Sequence, residues 1–97
     1  MQRQPFNRSP RMRHNQRLTT ADLWRETVAA FEAAGKSKAQ LARELDLNDS
    51  AIHHALKEPE PGTYRYASVQ GRIIEHLTGY RITREPVAVE FRATKTT

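Results

Sequence analysis

Residues 37–57 read SKAQLARELDLNDSAIHHALK, and the apolar positions within them decide the fold. Leu41, Ala42 and Leu45 form the buried face of one short helix, and Ile52, Ala55 and Leu56 form that of a second. Ser37 opens the first helix as its cap, with Gln40 at the third position after it, where a capping box places Glu or Gln. The chain then turns through Asp46 and Leu47, and Asn48 or Asp49 caps the next helix. That helix runs to about Lys57 and is broken by Pro59 and Pro61, because proline lacks the amide donor and restricts the residue before it. Two short helices joined so tightly must cross steeply. Ala42 supplies the small side chain needed where their backbones come closest.

The spacing of Leu41, Ala42, Leu45, Leu47, Ile52 and Leu56 resembles the helix-turn-helix of the phage repressor and Cro family, whose second helix enters the major groove of DNA. The sequence departs from that family at Asp46, a turn position where the family usually has glycine; Asp tolerates a left-handed backbone better than most residues. The resemblance implies that Asn48, Asp49, Ser50, His53, His54 and Lys57, turned away from the core, face the bases. Asn pairs with adenine, Ser reaches either purine, His donates to guanine acceptors and Asp49 accepts from cytosine. Capping is an equal reading of Asn48 and Asp49, and compatible with base contact. Lys36, Lys38 and Gln40, around the start of the first helix, are candidates for contacts to the DNA backbone.

Upstream, Thr19 or Thr20 caps a helix with Asp22 in its first turn, where the helix dipole favours negative charge. Trp24, Val28 and Phe31, flanked by Leu23 and Thr27, form its core stripe, and Gly35 stops it. Downstream, the loop Glu58 to Ala67 contains Tyr64, Arg65 and Tyr66. Arg65 is expected on a phosphate and Tyr66 as a lid over the core. Ser68 caps a further helix with the stripe Val69, Ile73, Ile74 and Leu77, ended by Gly79. From Ala55, Leu56 and Pro59 through Gly71, Ile73, Ile74 and Gly79, the sequence resembles Ner-type phage regulators and the small repressors that accompany anti-CRISPR genes. Those likenesses imply a phage or prophage regulator. Finally, Val87, Val89 and Phe91 alternate with Ala88 and Glu90, the period of a strand with one buried face. A lone strand leaves its backbone unpaired, so pairing between two copies in a homodimer, on a palindromic operator, is one expectation; packing across its own domain is the other.

Charge divides sharply along the chain. Of the net +5, all falls on residues 1–20, which carry Arg3, Arg8, Arg11, Arg13 and Arg17 and no acid, while residues 21–97 hold 11 basic and 11 acidic side chains. This Gln-, Asn- and Arg-rich stretch lacks a helical apolar pattern and is expected to be a disordered arm. Arg8, Arg11, Arg13 and Arg17 suit phosphates or a narrow minor groove; a solvated tail is the plainer alternative. The expected layout is therefore an all-α protein of four to five short helices. An arm at 1–18, a helix-turn-helix domain at 19–85, a strand at 86–92 and a disordered tail at 93–97 complete it.

With 97 residues, 37% of them hydrophobic, the chain has material for one modest core. No run approaches the roughly 20 apolar residues of a membrane span, and the first ten residues lack the apolar stretch of a secretory leader. Absence of cysteine fits a cytoplasmic protein, associated with the nucleoid when bound. His53 and His54 are adjacent, so they point about 100 degrees apart on a helix and do not chelate one ion. No nucleophile has a recognisable elbow, triad partner or glycine-rich cradle. The expectation is a non-enzyme without cofactor, metal or evident small-molecule ligand, a transcriptional repressor acting on double-stranded DNA. RNA binding through the arm, or protein docking on the second helix of the pair, are the rivals.

Overall fold

The computed structural model describes residues 16–60, 63, 65–85 and 90–96. Their order is β1 (Gln16–Leu18), α1 (Thr20–Ala34), α2 (Lys38–Leu45), α3 (Asp49–Leu56), α4 (Ala67–Thr78), β2 (Tyr80–Glu85) and β3 (Glu90–Lys95). The fold is mostly helical, with four helices as expected. It is not all-α, because the three strands form an antiparallel sheet in the order β1-β3-β2.

The helix starts follow local chemistry. Thr19 and Asp22 form a full capping box on α1, each side chain accepting from the other's backbone amide. Ser37 accepts from the amide of Gln40 at 3.0 Å, and Asn48 from that of Ala51 at 2.8 Å. At α4 the expected cap is displaced: Tyr66 occupies the N-cap without a side-chain bond, and Ser68 lies inside the helix.

Asp46 ends α2 in the left-handed region, at φ 58°. Its amide reaches Arg43 O and the amide of Leu47 reaches Ala42 O at 2.8 Å, the paired bonds of a Schellman turn. The turn tucks Leu47 against the same cluster as the residues of α2 and α3.

Two apolar clusters share α4. One joins Leu41, Ala42, Leu45, Ile52, Ala55 and Ile73; the other joins Leu18, Leu23, Ile74, Phe91 and Ala93. Ile73 and Ile74, consecutive and both fully buried, thus serve helices on one side and sheet on the other. Gly71 allows the close approach of α4 to the sheet, since a Cβ there would meet the Cβ of Ile82 at 3.3 Å. On α1 the buried positions are Leu23, Glu26 and Thr27, while Trp24, Val28 and Phe31 are half-buried, so the expected stripe is rotated toward its flanking residues. The second cluster explains the rotation: α1 also covers a sheet.

Both ends of the expected layout are corrected by that sheet. Residues 16–18, assigned to a disordered arm, form β1, with Leu18 1% exposed and opposite Phe91. The terminal strand spans Glu90–Lys95 rather than 86–92, and Ala93 to Lys95, assigned to a disordered tail, belong to it. Phe91 faces the core as expected, while residues 86–89, including Val87 and Val89, lie outside the described residues. β3 is central, bonded to β1 on one side and to β2 on the other. Of the two expected arrangements, the strand therefore packs within its own domain. No helix among the described residues is long and apolar enough to cross a membrane.

Candidate nucleic-acid interface

An α-helix leaves its last carbonyls without intrahelical partners, and here neighbouring helices supply them. Arg72 on α4 donates to Leu45 O of α2 at 2.6 Å. Gln70 on α4 donates to Ala55 O at 2.9 Å, and the indole of Trp24 on α1 to Leu56 O at 3.0 Å. The C-terminal end of α3 is thus held from both sides, while Asn48 closes its start.

With Ile52 and Ala55 wholly buried, the opposite face of α3 is turned outward. Asn48, Asp49, Ser50, His53, His54 and Lys57 are all exposed. Ser50, His53 and His54 fall on the face of α3 opposite Ile52 and Ala55, Asp49 lies in its first turn, and Asn48 and Lys57 stand at its two caps. Asn48 acts as a cap through Oδ1, which leaves its amide N–H groups to the outside. Lys38, first residue of α2, reaches across to this surface, its Nζ 3.4 Å from His53 Nδ1. The rings of His53 and His54 meet edge to face at 5.5 Å, and His54 stacks on Tyr66 at 5.2 Å with only 13° between planes.

Lys36 and Gln40 are drawn elsewhere. Lys36 Nζ lies 2.6 Å from Glu44 Oε1, Gln40 Nε2 donates to Glu44 Oε2 at 3.1 Å, and His76 Nε2 lies 2.7 Å from Glu44 Oε1. Bonding from Lys36 first, then His76, holds the Glu44 carboxyl down at about 2. Arg65 is exposed just before α4 and borders a cleft of about 380 Å³ whose other lining includes His54, Lys57, Glu58 and Tyr66. Arg17 is exposed on β1, opposite Arg92, while the next residue, Leu18, is buried in the cluster that includes Ile74 of α4. Arg8, Arg11 and Arg13 lie outside the described residues.

Sequence reasoning gave Tyr66 only as a lid. It does lie half-buried against the helical cluster, and the same ring supports His54. Gln70 and Glu44 went unnoticed. A polar residue one turn before Ile73 and Ile74, on an otherwise apolar stripe, was the available signal for Gln70; a three-way clasp around Glu44 has no local signature. Glu26 was equally silent. It is 6% exposed, with burial first and the charge of Asp22 second pushing its carboxyl up to about 7.

The chain matches no family model, no curated protein and no solved structure.

Proposed function

We propose that the chain is a sequence-specific DNA-binding transcriptional regulator, in which α2 and α3 act as a helix-turn-helix and α3 lies in the major groove. One observation carries the reading: Asp49, Ser50, His53 and His54 along α3, with Asn48 and Lys57 at its two caps, are all exposed polar side chains with base-compatible chemistry, on a helix whose inner residues Ile52 and Ala55 are buried and whose two ends are pinned. A rigid helix with a wholly polar outer face is what recognition of base edges requires. In this reading, occupancy of an operator that overlaps a promoter represses transcription, as in a phage or prophage regulator. Two copies on a palindrome remain part of the proposal. Since β3 is paired on both sides, the copies would have to meet through another surface, such as the outer edge of β2.

The test is selection of binding sites from random duplex DNA at near-physiological salt, which suppresses purely electrostatic contacts. Enrichment of a motif is expected, and its loss in the double variant His53→Ala, His54→Ala, with weak nonspecific binding retained. Unchanged preference in that variant would remove α3 from the interface, and absence of any motif would turn the reading toward RNA or protein partners. For the arm, residues 2–15 are the segment to delete, because 16–18 belong to the sheet. Their loss is expected to flatten the salt dependence; an equal slope would retire the arm from the proposal.

A further inference from the structure

Four side chains, from α2, α3 and the N-cap of α4, stand in a row over the exposed face of α3: Lys38, His53, His54 and Tyr66. Each touches the next. A histidine on an open surface is an ambiguous reader, because the neutral ring carries its proton on either nitrogen and offers a donor at one and an acceptor at the other. The row removes the ambiguity at His53. An ammonium has only protons to give, so a ring nitrogen that meets it must carry a lone pair. With Lys38 Nζ 3.4 Å from Nδ1, the single proton of the neutral ring falls on Nε2.

We propose that Lys38 sets the tautomer of His53, so that this imidazole meets DNA as an Nε2–H donor and reads a guanine. The proposal rests on the function inferred above. In the major groove guanine presents two neighbouring acceptors, N7 and O6, and thymine a single one, O4, beside its methyl group, whereas cytosine presents a donor and adenine sets a donor beside its one acceptor. A fixed donor therefore favours guanine and rejects cytosine. The ammonium keeps two further protons, enough to hold a phosphate at the same time, so one lysine serves the backbone and the base reader together.

The other end of the row keeps the ring in place. His54 lies flat on Tyr66 and edge-on to His53, so neither imidazole turns without losing a ring contact. Tyr66 is itself fixed: it packs on the helical cluster, and its carbonyl accepts the Gln70 amide at 2.9 Å in the first turn of α4. Tyr66 is thus a positioning residue, acting on base recognition through the two histidines.

Two measurements test the proposal, one without DNA. Long-range nitrogen NMR of the imidazoles in the free, full-length protein, at a pH where His53 is neutral, should show a bare Nδ1 and a protonated Nε2. In Lys38→Met the Nδ1–H form should rise, and Lys38→Arg, which also has only N–H groups to offer, should restore the original pattern. A protonated Nδ1 in the unaltered protein, or a pattern indifferent to Lys38→Met, overturns the role of the lysine. In the selected duplex, 7-deazaguanine in place of the guanine facing His53 removes the N7 acceptor. It should weaken binding about tenfold, within the range of one base contact, and have no effect on His53→Ala. No weakening in the unaltered protein overturns the guanine reading while leaving DNA recognition standing. Failure to select any duplex overturns both, and the NMR result still reports on the tautomer by itself.

Discussion

The side-chain amide of Gln70 donates to the carbonyl of Ala55 at 2.9 Å, so α4 completes the hydrogen bonding of the last turn of α3. Gln70 is 6% exposed, and its removal leaves a buried acceptor unsatisfied. Gln70→Ala is expected to cost about 1–3 kcal/mol. The loss should appear in thermal unfolding, with faster amide exchange at the end of α3 than at its start. Exchange unchanged at that end would mean that Trp24 alone secures it.

Asp46 carries the left-handed backbone between α2 and α3, where a side chain crowds the following carbonyl. Asp46→Gly should stabilise the protein by about 0.5–1 kcal/mol, and Asp46→Val should destabilise it by roughly 1–2 kcal/mol or more. Chemical denaturation curves of the two variants should therefore move in opposite directions from the parent. A glycine variant no more stable than the parent would show that the turn is not strained by aspartate.

Two carboxylates give the pH dependence opposite signs. Glu26 titrates near 7 when folded and 4.5 when free, so the folded state holds its proton more tightly. Its contribution is complete below about 4.5 and is lost as pH rises toward about 7. Glu44 titrates near 2 when folded, so its contribution is present above 4.5 and is lost as pH falls toward about 2. Melting temperature should pass through a maximum at mildly acidic pH. Glu26→Gln should flatten the neutral side alone, and Glu44→Gln the acid side alone.

Glu44 also holds Lys36 and Gln40 at the start of α2, two groups that the proposed function offers to DNA phosphates. A carboxylate in their midst competes with phosphate and repels it. Glu44→Gln is accordingly expected to strengthen nonspecific duplex binding and to steepen log K against log salt by about one unit if Lys36 gains one phosphate. An unaltered slope would place Lys36 away from the DNA backbone.

What the sequence made legible is the part of the fold governed by neighbours in the chain. The caps Thr19, Ser37 and Asn48, the stops Gly35 and Gly79, and the apolar spacing of 41–56 each act within a few residues, and each is found where local chemistry puts it. The sheet is different. Gln16–Leu18 is too short to show a period and is masked by an arginine-rich setting, and Tyr80–Glu85 follows a helix stop that draws the eye to its end. Pairing of such strands is decided by partners distant in sequence. For the site, the exposure of 48–50, 53, 54 and 57 follows from helical period. The engagement of Lys36 and Gln40 with Glu44, and of Lys38 with His53, depends on which helices lie side by side.

The pairing of Gln16 with Ala93 joins segments more than 70 residues apart, whereas α2 and α3 meet across a three-residue turn. Closing so long a loop is entropically expensive and slow, while the local pair forms fast. The molecule should therefore assemble from its middle outward, with the α2–α3 corner and α4 collecting first and the sheet closing last. Opening should run in reverse: when β1 peels from β3, Leu18 and Phe91 lose each other before Ile52 feels any change. A protease or a competing strand would find its first purchase at this seam, whose buried residues belong to a different cluster from those of α3, so the protein can loosen there and still present its outer helix intact.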